Sequence, residues 1–244
     1  MSLDRPFLII ETGRPVRPLR RHGSFAHWIR HAARLTRDRG VACNVEAGDA
    51  LPGSVEGFAG AIISGSPAMV TERLDWSEAT AGWLREAAGA GLPLFGICYG
   101  HQLLAHAFGG RVDDNPKGRE MGTVDVHCES VAADDRLFRG LLSPFRAQVS
   151  HLQTVTSPPP EATVLATSSL DDCQAFRLGD RVWGVQFHPE FSATITAGYV
   201  QARAARIREE GHDPVAILAD IGAAPLARQV LRRFVRFADT MRPN

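Results

Sequence analysis

Of four cysteines in the chain, one stands where cysteine can act as a nucleophile. Cys98 closes the apolar run PLFGIC, residues 93–98, and YGHQLLAHAFGG, a helix-forming stretch, follows at once. A thiol on such a strand-to-helix turn meets the first amides of a helix, whose dipole favours the thiolate and whose geometry exposes it for attack. Gly96 and Gly100 permit close backbone approach around the turn. A nucleophile of this kind needs a base, and FHPEF at 187–191 offers one. His188 can take the thiol proton, while Glu190 orients and stabilises the imidazolium. Extended backbone sends residues two apart to the same side, and Pro189 restrains the link between them. The oxygen of an attacked carbonyl also needs hydrogen-bond donors. The SGSP turn centred on Gly65 and the main-chain amide of Tyr99 are the candidates.

The elements that must position these groups alternate between strand and helix. FLIIET, residues 7–12, suits a first buried strand. Ser24 can cap a helix running to about Arg37, with Phe25, Trp28, Ile29, Ala32 and Leu35 on one face. Further strands are expected at 41–45, in AGAIISGSP at 59–67, and at 93–98. Between the last two, Asp75 and Glu78 resemble a capping box for another helix. Such alternation predicts a parallel sheet covered on both faces. Beyond Gly110 shorter strands are expected at 121–128, 145–151 and 163–168, and CQAFRLGDRVWGVQFH reads as a hairpin turning near Leu178–Asp180. From Thr194 onward the pattern is helical, with Pro214 and Pro225 in first-turn positions. The expected fold is therefore a doubly wound, mostly parallel α/β domain over residues 1–193. Residues 194–244 are expected to form a helical extension packed on the same domain.

Composition limits what the site can serve. In 244 residues, 27 Lys and Arg balance 27 Asp and Glu, and 44% of positions are hydrophobic in runs too short to span a membrane. Neither a membrane role nor a basic nucleic-acid-binding role is expected. Cysteines 43, 98, 128 and 173 show no paired CxxC spacing, so Cys43, Cys128 and Cys173 are read as packing residues in a reduced, cytoplasmic setting. His101 and His106 lack metal-ligand spacing, and neither a GxGxxG fingerprint nor a P-loop occurs, so no metal and no cofactor is expected. Arg203, Arg206, Arg208, Arg228, Arg232, Arg233 and Arg236 are read as solvated helix faces rather than as a surface for an acidic partner.

The ordered combination of ISGSP, GICYGHQ and VQFHPEF resembles the class I glutamine amidotransferase family, especially stand-alone proteins similar to the glutaminase part of GMP synthase. The resemblance covers roughly residues 5 to 192. It implies a flavodoxin-like fold with Cys98, His188 and Glu190 as a catalytic triad and Gly65 and Tyr99 at the oxyanion. It further implies that Gln102, Ser150 and His151 contact the substrate. The implied activity is release of ammonia from glutamine through a γ-glutamyl thioester, with a separate synthetase as a possible recipient. Two departures from the family pattern stand out: Gln153 replaces an aspartate, and ISGSP replaces a GGP form. A γ-glutamyl peptidase and a noncatalytic regulatory module are the alternative readings.

Overall fold

Phe7 and Ile9 face one side of the sheet and Leu8 and Ile10 the other, yet all four are buried. A strand with no polar side must have a layer over each face. The computed structural model describes residues 5–241. In chain order it begins with β1 (Phe7–Glu11), α1 (Phe25–Ala33), β2 (Gly40–Asn44), β3 (Gly60–Ile63), α2 (Asp75–Gly89), β4 (Leu94–Ile97) and α3 (Tyr99–Ala107). There follow β5 (Arg111–Asp114), β6 (Glu120–Cys128), β7 (Phe145–His151), β8 (Gln153–Ser157), β9 (Thr163–Thr167), β10 (Ala175–Leu178) and β11 (Val182–Val185). Last come α4 (Ala193–Ala202), α5 (Ala204–Glu209), α6 (Pro214–Asp220) and α7 (Pro225–Thr240).

The main sheet has the order β2-β1-β3-β4-β11-β10-β9-β6-β7. The pairings from β2 to β11 are parallel and those from β11 to β7 antiparallel. The fold is thus the expected mixed α/β sheet with flanking helices, and its hairpin turns at Gly179 as expected. The small antiparallel pair β5–β8 carries no counterpart in the sequence reading.

One face of the sheet is covered by α1 and α7, the other by α2 and α3. Phe234 of α7 is fully buried, with its ring 5.0 Å from Phe95 and 6.3 Å from both Phe7 and Trp183. Among the described residues no single helix is long and apolar enough to cross a membrane. Helices α6 and α7, bent by 68° at their junction, reach that length and apolarity only together, and α7 buries its apolar face on the sheet.

Local chemistry corrects several boundaries. Helix α1 stops at Ala33, short of Arg37, because Arg34 turns left-handed at φ 61° and the Leu35 amide closes on the Arg30 carbonyl. Asp75 does not cap α2. Leu74 occupies that position, and Asp75 and Glu78 lie in the first turn, where acidic groups suit the helix dipole. The stretch expected as one helix after Thr196 breaks at Arg203, whose φ of −109° separates α4 from α5. Several arginines expected in solvent instead reach carbonyl groups of neighbouring elements: Arg228 to Phe191, Arg232 to Ala32, and Arg233 to Leu137 and Arg139.

Candidate active site

Three neighbouring parallel strands, β3, β4 and β11, end side by side, and the chemistry-bearing residues leave from those ends. Open α/β sheets place their ligand crevice at this carboxyl edge. Cys98 follows β4 in a strained conformation, φ 51° and ψ −100°, and its amide still donates to the Val185 carbonyl of β11. A non-glycine residue at such a φ is uncommon and needs support from its surroundings. That support is close packing of main chain: a Cβ on Gly96 would lie 2.4 Å from the Gly100 carbonyl oxygen, and one on Gly100 would lie 2.6 Å from that of Ile63. Both glycines are thus required by the approach of backbone to backbone.

The turn after β3 is fastened to the end of β1. Thr12 donates its amide to Ser64 Oγ at 3.0 Å and its hydroxyl to the Ser64 and Gly65 carbonyls. The Gly100 amide donates to the Ser64 carbonyl, tying the same turn to α3. Gly65 thereby sits against the candidate base, since a Cβ there would come within 2.9 Å of His188 Cε1. The Tyr99 amide belongs to the first turn of α3, where N–H groups have no acceptor inside the helix. Its ring is turned away, with the hydroxyl 2.6 Å from Ser77 Oγ.

His188 Nδ1 lies 2.7 Å from Glu190 Oε1, and the His188 amide donates to the Gln148 carbonyl of β7. The His188 ring and Cys98 meet across Gly65, where a Cβ would lie 2.9 Å from His188 Cε1 and 3.7 Å from Cys98 Cβ. Burial pushes the Cys98 thiol up, but the charge and hydrogen bond of His188, aided by the charge of His151, outweigh it and hold the thiol below its ordinary value. For His188, burial favours the neutral ring, whereas Glu190 and Cys98 favour the cation and raise its pKa. Together these shifts favour a thiolate–imidazolium pair. Phe191 stacks on the His188 ring at 3.9 Å, and Tyr199 of α4 stacks on Phe191 at 5.0 Å.

Cys98 is 6% exposed and opens into a small cleft. Tyr99, Gln102, Ser150 and His151 also line this cleft, with Met69, Arg119 and Arg203 among the residues around them. Gln102 spends its amide nitrogen inside the protein, donating to the Gln153 carbonyl at 2.7 Å and to Gln186 Oε1 at 3.0 Å. Ser150 Oγ accepts a hydrogen bond from Arg203 at 2.7 Å. His151 Nδ1 is 3.0 Å from the Gln153 carbonyl and Nε2 is 2.9 Å from Glu120 Oε2. A carbonyl can only accept, so Nδ1 carries a proton, and the Glu120 carboxylate beside Nε2 favours a second one. In line with this, burial opposes the charge of His151, but the Glu120 hydrogen bond and the Asp171 charge overcome it and raise the pKa. His151 therefore offers the cleft positive charge and main chain rather than a free ring nitrogen.

Sequence reading missed the partners of His151. Glu120 and Asp171 lie 31 and 20 positions from it in the chain, and only the β6–β7 pairing, which sets Glu120 opposite His151, brings the first of them near. Gln153, the departure from the family pattern, bridges loops by donating to Thr71 Oγ1 and Asp114 Oδ1. His101 is a core residue against Phe176, and burial lowers its pKa to about 3.

The strand-end elbow and its histidine partner on this sheet define a class. The chain belongs to the glutamine amidotransferase class-I family, whose model matches residues 21–204. Among individual relatives, a glutamine-hydrolyzing GMP synthase from Aeropyrum pernix is 39% identical over 198 residues, 79% of this chain and 34% of that protein. The crystal structure of a glutamine amidotransferase from Methylobacillus flagellatus superimposes with a TM-score of 0.76 at 25% identity, covering 98% of this chain and 96% of that one. One from Thermotoga maritima, at 20% identity and a TM-score of 0.74 over 97% and 99% of the two chains, shares the fold. The chain spans about a third of the length of the curated relatives it matches.

Proposed function

We propose that the chain hydrolyses the side-chain amide of glutamine through a γ-glutamyl thioester on Cys98. The observation that carries this reading is the strained Cys98 turn, packed across Gly65 from a histidine whose Nδ1 is 2.7 Å from Glu190. The Cys98 thiolate attacks the γ-carbonyl carbon, and the Gly65 and Tyr99 amides receive the oxyanion. Imidazolium His188 gives its proton to the departing nitrogen, ammonia leaves, and the C–N bond is replaced by C–S. Neutral His188 then takes a proton from water, which attacks the thioester, releases glutamate and restores the thiolate. Glu190 holds the imidazole in the tautomer both steps need. The ammonia goes on to a synthetase, a reading supported by the likeness to glutamine-hydrolyzing GMP synthases.

Glutamine-dependent release of glutamate and ammonia, with a glutamyl mass increment on the Cys98 peptide in quenched samples, is the expected result. Cys98→Ala should lower kcat/KM by at least about a thousandfold. Turnover retained in that variant rejects the mechanism.

A further inference from the structure

Among the described residues, one cation at the cleft makes no ion pair. Two arginines reach it, and they are differently occupied. Arg119 is held by Glu210 through two hydrogen bonds, at 2.7 and 3.0 Å, and Glu210 also accepts from Arg206. Arg203 makes no ion pair among the described residues. Its guanidinium donates to Ser150 Oγ and lies 5.3 Å from the centre of the Tyr199 ring. Burial and the like charge of Arg119 pull its pKa down, against the favourable influence of Tyr199, Cys98 and the more distant Glu210, which is itself held by Arg119. The chain leaves the helix at this one residue, between α4 and α5, so the position is set by a local break rather than by helical periodicity. A partly buried guanidinium with donors to spare is a receptor for a planar anion.

We propose that Arg203 receives the α-carboxylate of the substrate, so that the cleft selects γ-glutamyl amides whose α-carboxylate is free. The inference rests on the γ-glutamyl hydrolase reading given above. A glutamyl unit carries its carboxylate a short methylene chain from the γ-carbonyl, and Arg203 and Cys98 line the same cleft. Ser150 holds the guanidinium from β7, and the Tyr199 ring of α4 packs against it. The requirement falls on the glutamyl half of the substrate, so it applies equally to glutamine and to small γ-glutamyl peptides.

Calorimetric binding in a Cys98→Ser background separates recognition from turnover. With the full chain, L-glutamine should bind more tightly than its α-methyl ester. Arg203→Gln should weaken glutamine binding about 10- to 100-fold, the range for a hydrogen-bonded charge, while shifting ester binding by less than about twofold. Arg203→Lys should fall between, because a point charge lacks the planar fork. Equal losses for glutamine and ester would make Arg203 a packing residue and overturn the proposal. So would unchanged glutamine binding in Arg203→Gln, or no glutamine binding by the Cys98→Ser protein. Circular dichroism of each variant reports folding. Absent hydrolysis by the unmodified protein, with Arg203-dependent binding intact, would reject the hydrolase reading while supporting the carboxylate site.

Discussion

At the scale of single residues, the state of Cys98 depends chiefly on His188. Burial alone raises a thiol's pKa, and here His188 reverses the sign. Iodoacetamide, which is neutral, should therefore alkylate Cys98 with a midpoint below that of a free cysteine. In His188→Ala only the charge of His151 still opposes burial, so the midpoint should rise. A pH–rate profile for the two proteins checks this, and coincident midpoints would contradict it. Cys98, His188 and Glu190 were legible in the sequence because a strand-to-helix cysteine and a proline-spaced His–Glu pair are local patterns. Arg203 was not, since a basic residue in a helical tail gives the same signal whether it faces water or a cleft. Nor was the pairing of His151 with Glu120, which a register creates and no short pattern announces.

Helix α7 at the C-terminus shows what an element contributes. Its aromatic residues fill the sheet face between β1, β4 and β11, with Phe234 at the centre and Phe237 beside Trp183 at 5.2 Å. Phe234→Ala should destabilise the protein by about 3–5 kcal/mol, as expected for a large aromatic removed from a closed core. Denaturant titration measures it; a loss under about 1 kcal/mol would mean that the helix only rests on the sheet. The parallel strands were legible because burial on both faces writes an unbroken apolar run, as in FLII and GAII. The end of α1 was not, because an arginine carries no compositional sign that it will turn left-handed. The β5–β8 pair escaped because its strands are short and mostly polar, and each is made a strand by the other.

The whole molecule assembles the cleft from parts that are far apart in the chain. Cys98, Gly65 and His188 come from the parallel half of the sheet, Ser150 and His151 from the antiparallel half, and Arg203 from the junction of two late helices. The halves share one core, in which Val149 and Leu165 of the antiparallel strands join Phe95 and Val185 of the parallel ones. Thermal unfolding should then be a single transition, with tryptophan fluorescence, far-UV circular dichroism and loss of protected Cys98 coinciding. Two separated transitions would show that the halves fold independently. The glycine floor and the side-chain rim of this cleft also differ in what they tolerate. At Gly96 and Gly100 a new side chain meets main chain that cannot yield, whereas the rim consists of side-chain tips on separate elements. Substitutions at Met69 or Arg119 are therefore expected to reshape the mouth of the cleft while leaving the turn beneath Cys98 in place.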